Sequence, residues 1–269
     1  MNPKHNRILA ALPEADYERL YRSLQQVSLT QGESLHRLDE QVEYVYFPLD
    51  CLVAVVYITP NTTAAEIAVT GREGMIGLEM LLDDVAMPRW AVPQISGQAM
   101  RISAALLKEE YSRSPAMRQL FTRFMQALIT QMMQLAVCSR HHDVGQQLPR
   151  LLLSCLDRMP GDTIEMSHEA LAGALGIAPE DITRVALDLW SAGVIEQGAG
   201  RIKVLDRTAL EARACECYAT VCRQYDGLLP GWSNQGRSIR ANAKSPDEAP
   251  AGCDIPERMG AALEFMGYE

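Results

Sequence analysis

The side chains best suited to chemistry lie between Pro179 and Ser191, where polar residues recur at helical spacing. Glu180, Asp181, Arg184, Leu187 and Asp188 fall on one outward face, while Ile182, Val185, Ala186, Leu189 and Trp190 make an inward one. A helix presenting long polar side chains outward has the geometry to enter a DNA major groove. Other groups carry metal-ligand types: Cys215-Glu216-Cys217 with Cys222, and His141-His142 beside Asp143. On one continuous helix the three cysteines would not share a face, so incidental or structural thiols are the expectation. The histidine pair reads as a solvated helix end, and no metal is expected. Gly71-Arg72-Glu73-Gly74-Met75-Ile76-Gly77 could cradle a phosphate through backbone N–H groups, or turn the corners of a β-roll, the reading favoured here. There is no G-x-S-x-G, H-E-x-x-H or P-loop, and Glu109-Glu110 face apart on a polar helix, so an enzyme is not expected.

These residues need elements to hold them. From Thr163 to Asp206 the sequence reads as a short helix, a turn at Gly176, a second helix and a Gly-hinged hairpin carrying Arg201 and Lys203. Leu171, Ala172, Leu175 and Ile177 mark a buried stripe on the first helix, and Pro179 suits the first turn of the second. Two helices joined by about four residues form a helix-turn-helix.

Ahead of this segment, Ile8 to Leu24 reads helical, and Val27 to about Ile102 breaks into short β-rich runs separated by Gly, Pro and Asn, as in a sandwich or barrel. Ala104 to Arg113 is a short polar helix. Pro115 to about Ser139 is a long helix with an apolar face containing Phe121, Phe124, Met125, Leu128, Ile129, Met132 and Leu135. That face is wider than one small β domain needs, which predicts a two-fold dimer; the alternative is a helix buried within its own subunit. Val144 to Leu156 continues as a helix in which Pro149 is tolerable only within the first turn. Thr208 to Tyr225 reads as one more helix, and from Gly227 the chain turns rich in Gly, Pro, Ser, Asn and Ala.

The balance of 25 basic and 34 acidic residues argues against a generic nucleic-acid coat, though a local patch can still face DNA. Residues 165–213 hold five basic and eight acidic residues, so the segment expected to face DNA is itself acidic overall. No apolar run approaches a membrane span and no signal segment opens the chain, so the expectation is a cytoplasmic protein with no membrane partner. Seven cysteines at irregular spacing suit free thiols in a reducing compartment.

A β-roll, a long helix and a helix-turn-helix with a wing resemble the bacterial regulators related to the cyclic-AMP receptor protein and the fumarate–nitrate reduction regulator. The likeness runs over about residues 10–212, strongest at Gly71–Gly77 and His168–Ile195. It implies an α+β fold: an N-terminal double-stranded β-helix sensor (1–113), a dimerisation helix and hinge (114–142), a winged helix-turn-helix (143–213) and an extension (214–269). It further implies that Glu180 and Arg184 read base edges, Glu accepting from cytosine N4 and Arg donating to guanine O6 and N7. The bland alternative is an exposed i,i+4 pair that only supports its helix. Thr183, Arg201 and Lys203 become supporting or backbone-contacting candidates. Pro179 and Ala178 stand where the family often has an arginine and a small polar phosphate contact.

In the sensor half the resemblance implies an effector pocket at Gly77, Glu79 and Arg89. Gly77-Leu78-Glu79 carries one residue more than the family's Gly-Glu pair, and Arg89 is followed by Trp90 rather than a hydroxyl residue. Cyclic AMP is therefore not expected, and neither is an iron–sulfur cluster, because the first 50 residues contain no cysteine. The expected partners are double-stranded DNA with a palindromic site, a second copy of the chain, an unidentified small-molecule effector, and RNA polymerase as a further candidate. The competing reading is a dimeric small-molecule-binding or interaction protein whose helix-turn-helix is structural.

Overall fold

The structure is a computed structural model that describes residues 1–35, 41–58, 64–81, 90–198 and 200–228, with residues 58, 64 and 65 described in their backbone alone. Arg89 and most of the Gly- and Pro-rich C-terminal stretch lie outside the described residues.

Two short helices, α1 (Arg7–Ala10) and α2 (Glu14–Tyr21), precede six strands. These are β1 (Gln25–Leu29), β2 (Tyr44–Pro48), β3 (Leu52–Ile58), β4 (Ala64–Thr70), β5 (Trp90–Ile95) and β6 (Gly97–Ser103). They form two three-stranded antiparallel sheets, ordered β1-β6-β2 and β4-β3-β5. Tyr46, Val53, Val55, Ala68 and Ala91 fill the space between them, the inward set of a period-2 pattern.

The glycines of the 71–77 turn serve packing. A Cβ on Gly71 would lie 2.7 Å from the Arg158 Cβ and carbonyl oxygen, and one on Gly74 would lie 2.4 Å from the Phe124 ring. Gly77 adopts φ +97°, a conformation open to glycine at little cost. The turn is thereby pressed against two helices.

The helices that follow are α3 (Ala104–Arg113), α4 (Pro115–His141) and α5 (Val144–Arg158). At 27 residues, α4 is about 40 Å long. Ser114 Oγ accepts from Met117 N at its start and the chain leaves it extended at His142. Asp143 then caps α5 through Gln146 N at 3.0 Å. Pro149 lies in the second turn of α5, not the first as the sequence suggested, with Leu148, Leu151 and Leu152 buried around it. Packing of that apolar face overrides the missing N–H.

The helix-turn-helix follows as expected: β7 (Thr163–Ile164), α6 (His168–Leu175), α7 (Pro179–Ser191), β8 (Ile195–Gly198) and β9 (Arg201–Val204), with β9 central in a β7-β9-β8 sheet. Its core includes Leu52, Val69 and Ile95 of the roll, so the two halves share one apolar cluster.

The last elements are α8 (Arg207–Glu211) and α9 (Glu216–Leu228). The sequence spacing predicts one helix over Thr208 to Tyr225; the chain instead breaks between α8 and α9 at residues 212–215. α9 packs along α4 and carries Tyr225 into the core built by Ile8, Leu9, Phe47 and Phe124. Residues 216–228 are therefore part of the folded body. No helix among the described residues is long and apolar enough to cross a membrane.

Candidate functional site

The α6–α7 unit is built by local rules. Ser167 Oγ accepts from Ala170 N at 3.3 Å, Gly176 closes α6 in the left-handed region at φ 67°, and Ile177 N returns to Ala172 O at 3.1 Å. Pro179 occupies the first position of α7, while Ala178 provides no side-chain cap. Ile182, Val185, Ala186 and Leu189 are buried; Trp190, assigned inward from the sequence, is 54% exposed. One residue beyond Leu189 turns the indole about 100° away from the core.

The outward face holds Glu180, Thr183, Arg184, Leu187 and Asp188, all exposed. Arg184 Nη2 donates to Asp181 Oδ1 at 2.8 Å. That bond, with the charges of Asp181, Asp188 and Asp143, raises the Arg184 pKa. The ion pair is open to solvent, so it constrains the guanidinium without trapping it. Thr183 Oγ1 donates to Pro179 O and lies 3.0 Å from His168 Nδ1, whose Nε2 lies 3.1 Å from Gln197 Oε1 on β8. His168 thus links α6, α7 and the wing. Sequence reasoning missed it because a histidine at a helix start carries no distinguishing pattern. Arg201 is exposed near the wing tip, and Lys203 lies 3.7 Å from Asp162.

In the roll, Gly77 and Glu79 line a narrow cleft with Val55, Thr70, Met75 and Trp90.

The candidate interface on α4 divides. Phe121 and Phe124 are fully buried within the subunit, Leu128 and Met132 pack against the roll interior, and Leu135 faces a cleft shared with α9. Met125 is half-buried. The open stripe is Ile129 at 55%, Met133 at 58% and Val137 at 46% exposure, four residues apart and hence aligned on one face. The sequence pattern was too broad because it merged the face covered by the roll with the face left open.

At the end of α4 the structure assembles a set that the sequence had left in pieces. Cys138 and His142, one turn apart, meet Cys215 and Cys217, with one ligand-type atom from each and all four within 4.8 Å of one another. Cys138 Sγ lies 3.5 Å from Cys215 Sγ, and Cys217 Sγ lies 3.5 Å from His142 Nδ1. The thiol–thiol hydrogen bond lowers the Cys138 pKa and raises that of Cys215, while burial raises Cys217. Cys215 precedes α9, so the premise of three cysteines on one helix does not hold. Cys222 lies apart, against Asp157 Oδ2 at 3.6 Å. The C-x3-H spacing on α4 was the available sequence signal; its partners are some 75 residues away.

Comparison with known proteins follows the same division. The profile of the Crp-like helix-turn-helix domain matches residues 146–213. No curated protein matches the chain in sequence. Among solved structures, FixK2 from Bradyrhizobium japonicum is 16% identical, covering 71% of this chain and 98% of its own, with a TM-score of 0.59. The c-di-GMP responsive global regulator CLP of Xanthomonas campestris is 15% identical over 71% of this chain and 99% of its own, with a TM-score of 0.56. A CRP-family transcriptional regulator from Thermus thermophilus is 21% identical over 70% and 96%, with a TM-score of 0.55. At these identities the likeness establishes the fold. The chain has the fold of the Crp/Fnr-type regulators and carries, at residues 146–213, a Crp-like helix-turn-helix domain.

Proposed function

We propose that the chain is a cytoplasmic, homodimeric, sequence-specific DNA-binding transcription regulator without enzymatic activity. The observation that carries this reading is the exposed polar face of α7, with Glu180 and Arg184 one turn apart on the second helix of a Crp-like helix-turn-helix. Glu180 and Arg184 read base edges, Thr183 supports the helix, and Arg201 and Lys203 approach the phosphate backbone. The Ile129–Met133–Val137 stripe meets its two-fold copy, with Met125 at its margin. Each α7 then enters a major groove of a palindromic site, the half-sites about 34 Å apart. RNA polymerase and an effector acting on the roll are the further partners of this reading. Selection from a genomic fragment pool at stated salt tests it: a palindrome is enriched, and Arg184→Ala relaxes the preference at one position of each half-site.

A second reading is a dimeric binding module with a structural helix-turn-helix. It is favoured by the eight acidic against five basic residues in 165–213 and by the Arg184–Asp181 pair. No enrichment, together with no effect of Arg184→Ala, selects it.

A further inference from the structure

We propose that Cys138, His142, Cys215 and Cys217 bind one divalent metal ion of the zinc class through three thiolates and an imidazole. The spacing matches a single ion. Zinc bonds of about 2.3 Å to sulfur and about 2.0–2.1 Å to nitrogen set tetrahedral edges of about 3.6–3.8 Å. The Cys138–Cys215 and Cys217–His142 separations are both 3.5 Å, and no pair of ligand atoms exceeds 4.8 Å. A multi-iron cluster, whose thiolates bind separate iron atoms, needs a wider set. Three sulfurs and one nitrogen are the donors that a borderline-soft, tetrahedral ion selects.

The surroundings orient the ligands. Glu216 Oε1 lies 3.1 Å from His142 Nε2, so the carboxylate holds the Nε2–H tautomer and leaves the Nδ1 lone pair towards Cys217. Gln134 Nε2 donates to Cys217 Sγ at 3.1 Å, stabilising negative charge on that sulfur. Gln147 Nε2 donates to the His142 carbonyl at 2.6 Å, fixing the turn that presents the imidazole. The three cysteines are buried, while Glu216 is exposed and marks the solvent side. A Cys138–Cys215 disulfide would leave Cys217, His142 and this supporting shell without a role. Binding releases the thiol protons to solvent, with no change in oxidation state. The ion ties the last turn of α4, immediately ahead of α5, to the start of α9.

The test uses the full chain, purified under reducing conditions, stripped with a chelator and titrated with Co²⁺. One equivalent per chain, with the ligand-field bands and sulfur-to-metal charge transfer of a tetrahedral thiolate site and displacement by one equivalent of Zn²⁺, is the expected result. Cys138→Ser and Cys217→Ser abolish those bands, Cys222→Ser keeps them, and Glu216→Gln weakens binding about 10–100-fold. If a cysteine variant does not fold, His142→Ala, at the edge of the set, carries the same expectation. Absence of the tetrahedral spectrum in the folded, stripped chain overturns the proposal. So does its persistence in Cys217→Ser, or stoichiometric iron and sulfide in anaerobically purified protein. The readout is metal binding, so a negative result leaves the DNA-binding reading standing.

Discussion

Arg158 Nε donates to Glu73 Oε1 at 2.7 Å, with the two side chains 2% and 0% exposed. The pair joins α5, which leads into the helix-turn-helix, to the glycine-rich turn of the roll. Arg158 also donates to Ser154 Oγ at 2.7 Å, and Gln131 ties Val69 O to Tyr225 Oη. Arg158 Nη2 donates to Gln131 Oε1 at 3.4 Å and its guanidinium lies 5.4 Å from the Tyr225 ring centre, so α5, the glycine-rich turn, α4 and α9 meet at one buried guanidinium. Removing one partner strands the other charge in the interior, at a cost of about 3–5 kcal/mol. Arg158→Met and Glu73→Gln should each lower stability by that order in denaturant unfolding. The double variant should lose less than the sum, and additive losses would show that the residues are not coupled.

Glu66 on β4 accepts from Gln94 Nε2, near Arg150, Arg158 and the Cys155 thiol. Burial raises its pKa from 4.5 to about 7. Its side chain keeps a narrow opening to solvent through the adjoining cleft, which reduces the energetic weight of that shift. Because the folded state holds the proton more tightly, the stabilisation is complete below about pH 4.5 and is lost as pH rises through about 7. Unfolding free energy followed from pH 5 to 8 should show a decline of about 1–3 kcal/mol from this group. Glu66→Gln should flatten it, and an unchanged profile would reject the assignment.

Two substitutions on α4 separate packing from pairing. Met133→Glu places a charge on the open stripe and should yield monomers in sedimentation equilibrium with little change in monomer stability. Phe124→Ala empties a buried site beside Gly74 and should cost about 3–5 kcal/mol of folding stability. A Met133→Glu chain that still dimerises would place the interface elsewhere.

On the outward face of α7, Arg184→Ala should weaken binding to a selected site by about 1–3 kcal/mol and relax one position per half-site. Asp181→Ala frees the guanidinium and removes a charge that repels phosphate, so it should strengthen binding. Fluorescence anisotropy across a salt series reads both. Equal affinity of wild type and Asp181→Ala would show that the ion pair does not compete with DNA.

Most of the element order was legible in the sequence because the hydrophobic periods are strong: period 2 from Val27 to Ile102, and helical spacing with a Gly176 turn in the helix-turn-helix. What escaped depended on tertiary neighbours. A broad apolar face does not reveal that Phe121 and Phe124 are buried against the subunit's own roll while Ile129 and Met133 stay exposed among the described residues. Trp190 was placed inward by hydrophobicity, although its angular position lies beside the core. The thiol–imidazole set was invisible because a short break after Glu211 moves Cys215 off the helix, and because Cys138 and His142 lie at the far end of α4 and just beyond it. Glu180, Thr183, Arg184, Arg201 and Lys203 were found as exposed residues, but the Asp181 and His168 contacts that restrain two of them required coordinates.

The apolar cluster shared by Leu52, Val69 and Ile95 of the roll with the helix-turn-helix has an energetic consequence. Reorienting α7 by a swing at His142–Asp143 would expose that cluster and break the Arg158–Glu73 pair. Any such swing would have to give up both contacts together, so it would be a threshold event rather than a graded flexing. Inverting a 99:1 population takes about 5.5 kcal/mol of differential affinity. A ligand with a smaller preference than that would leave the cluster packed.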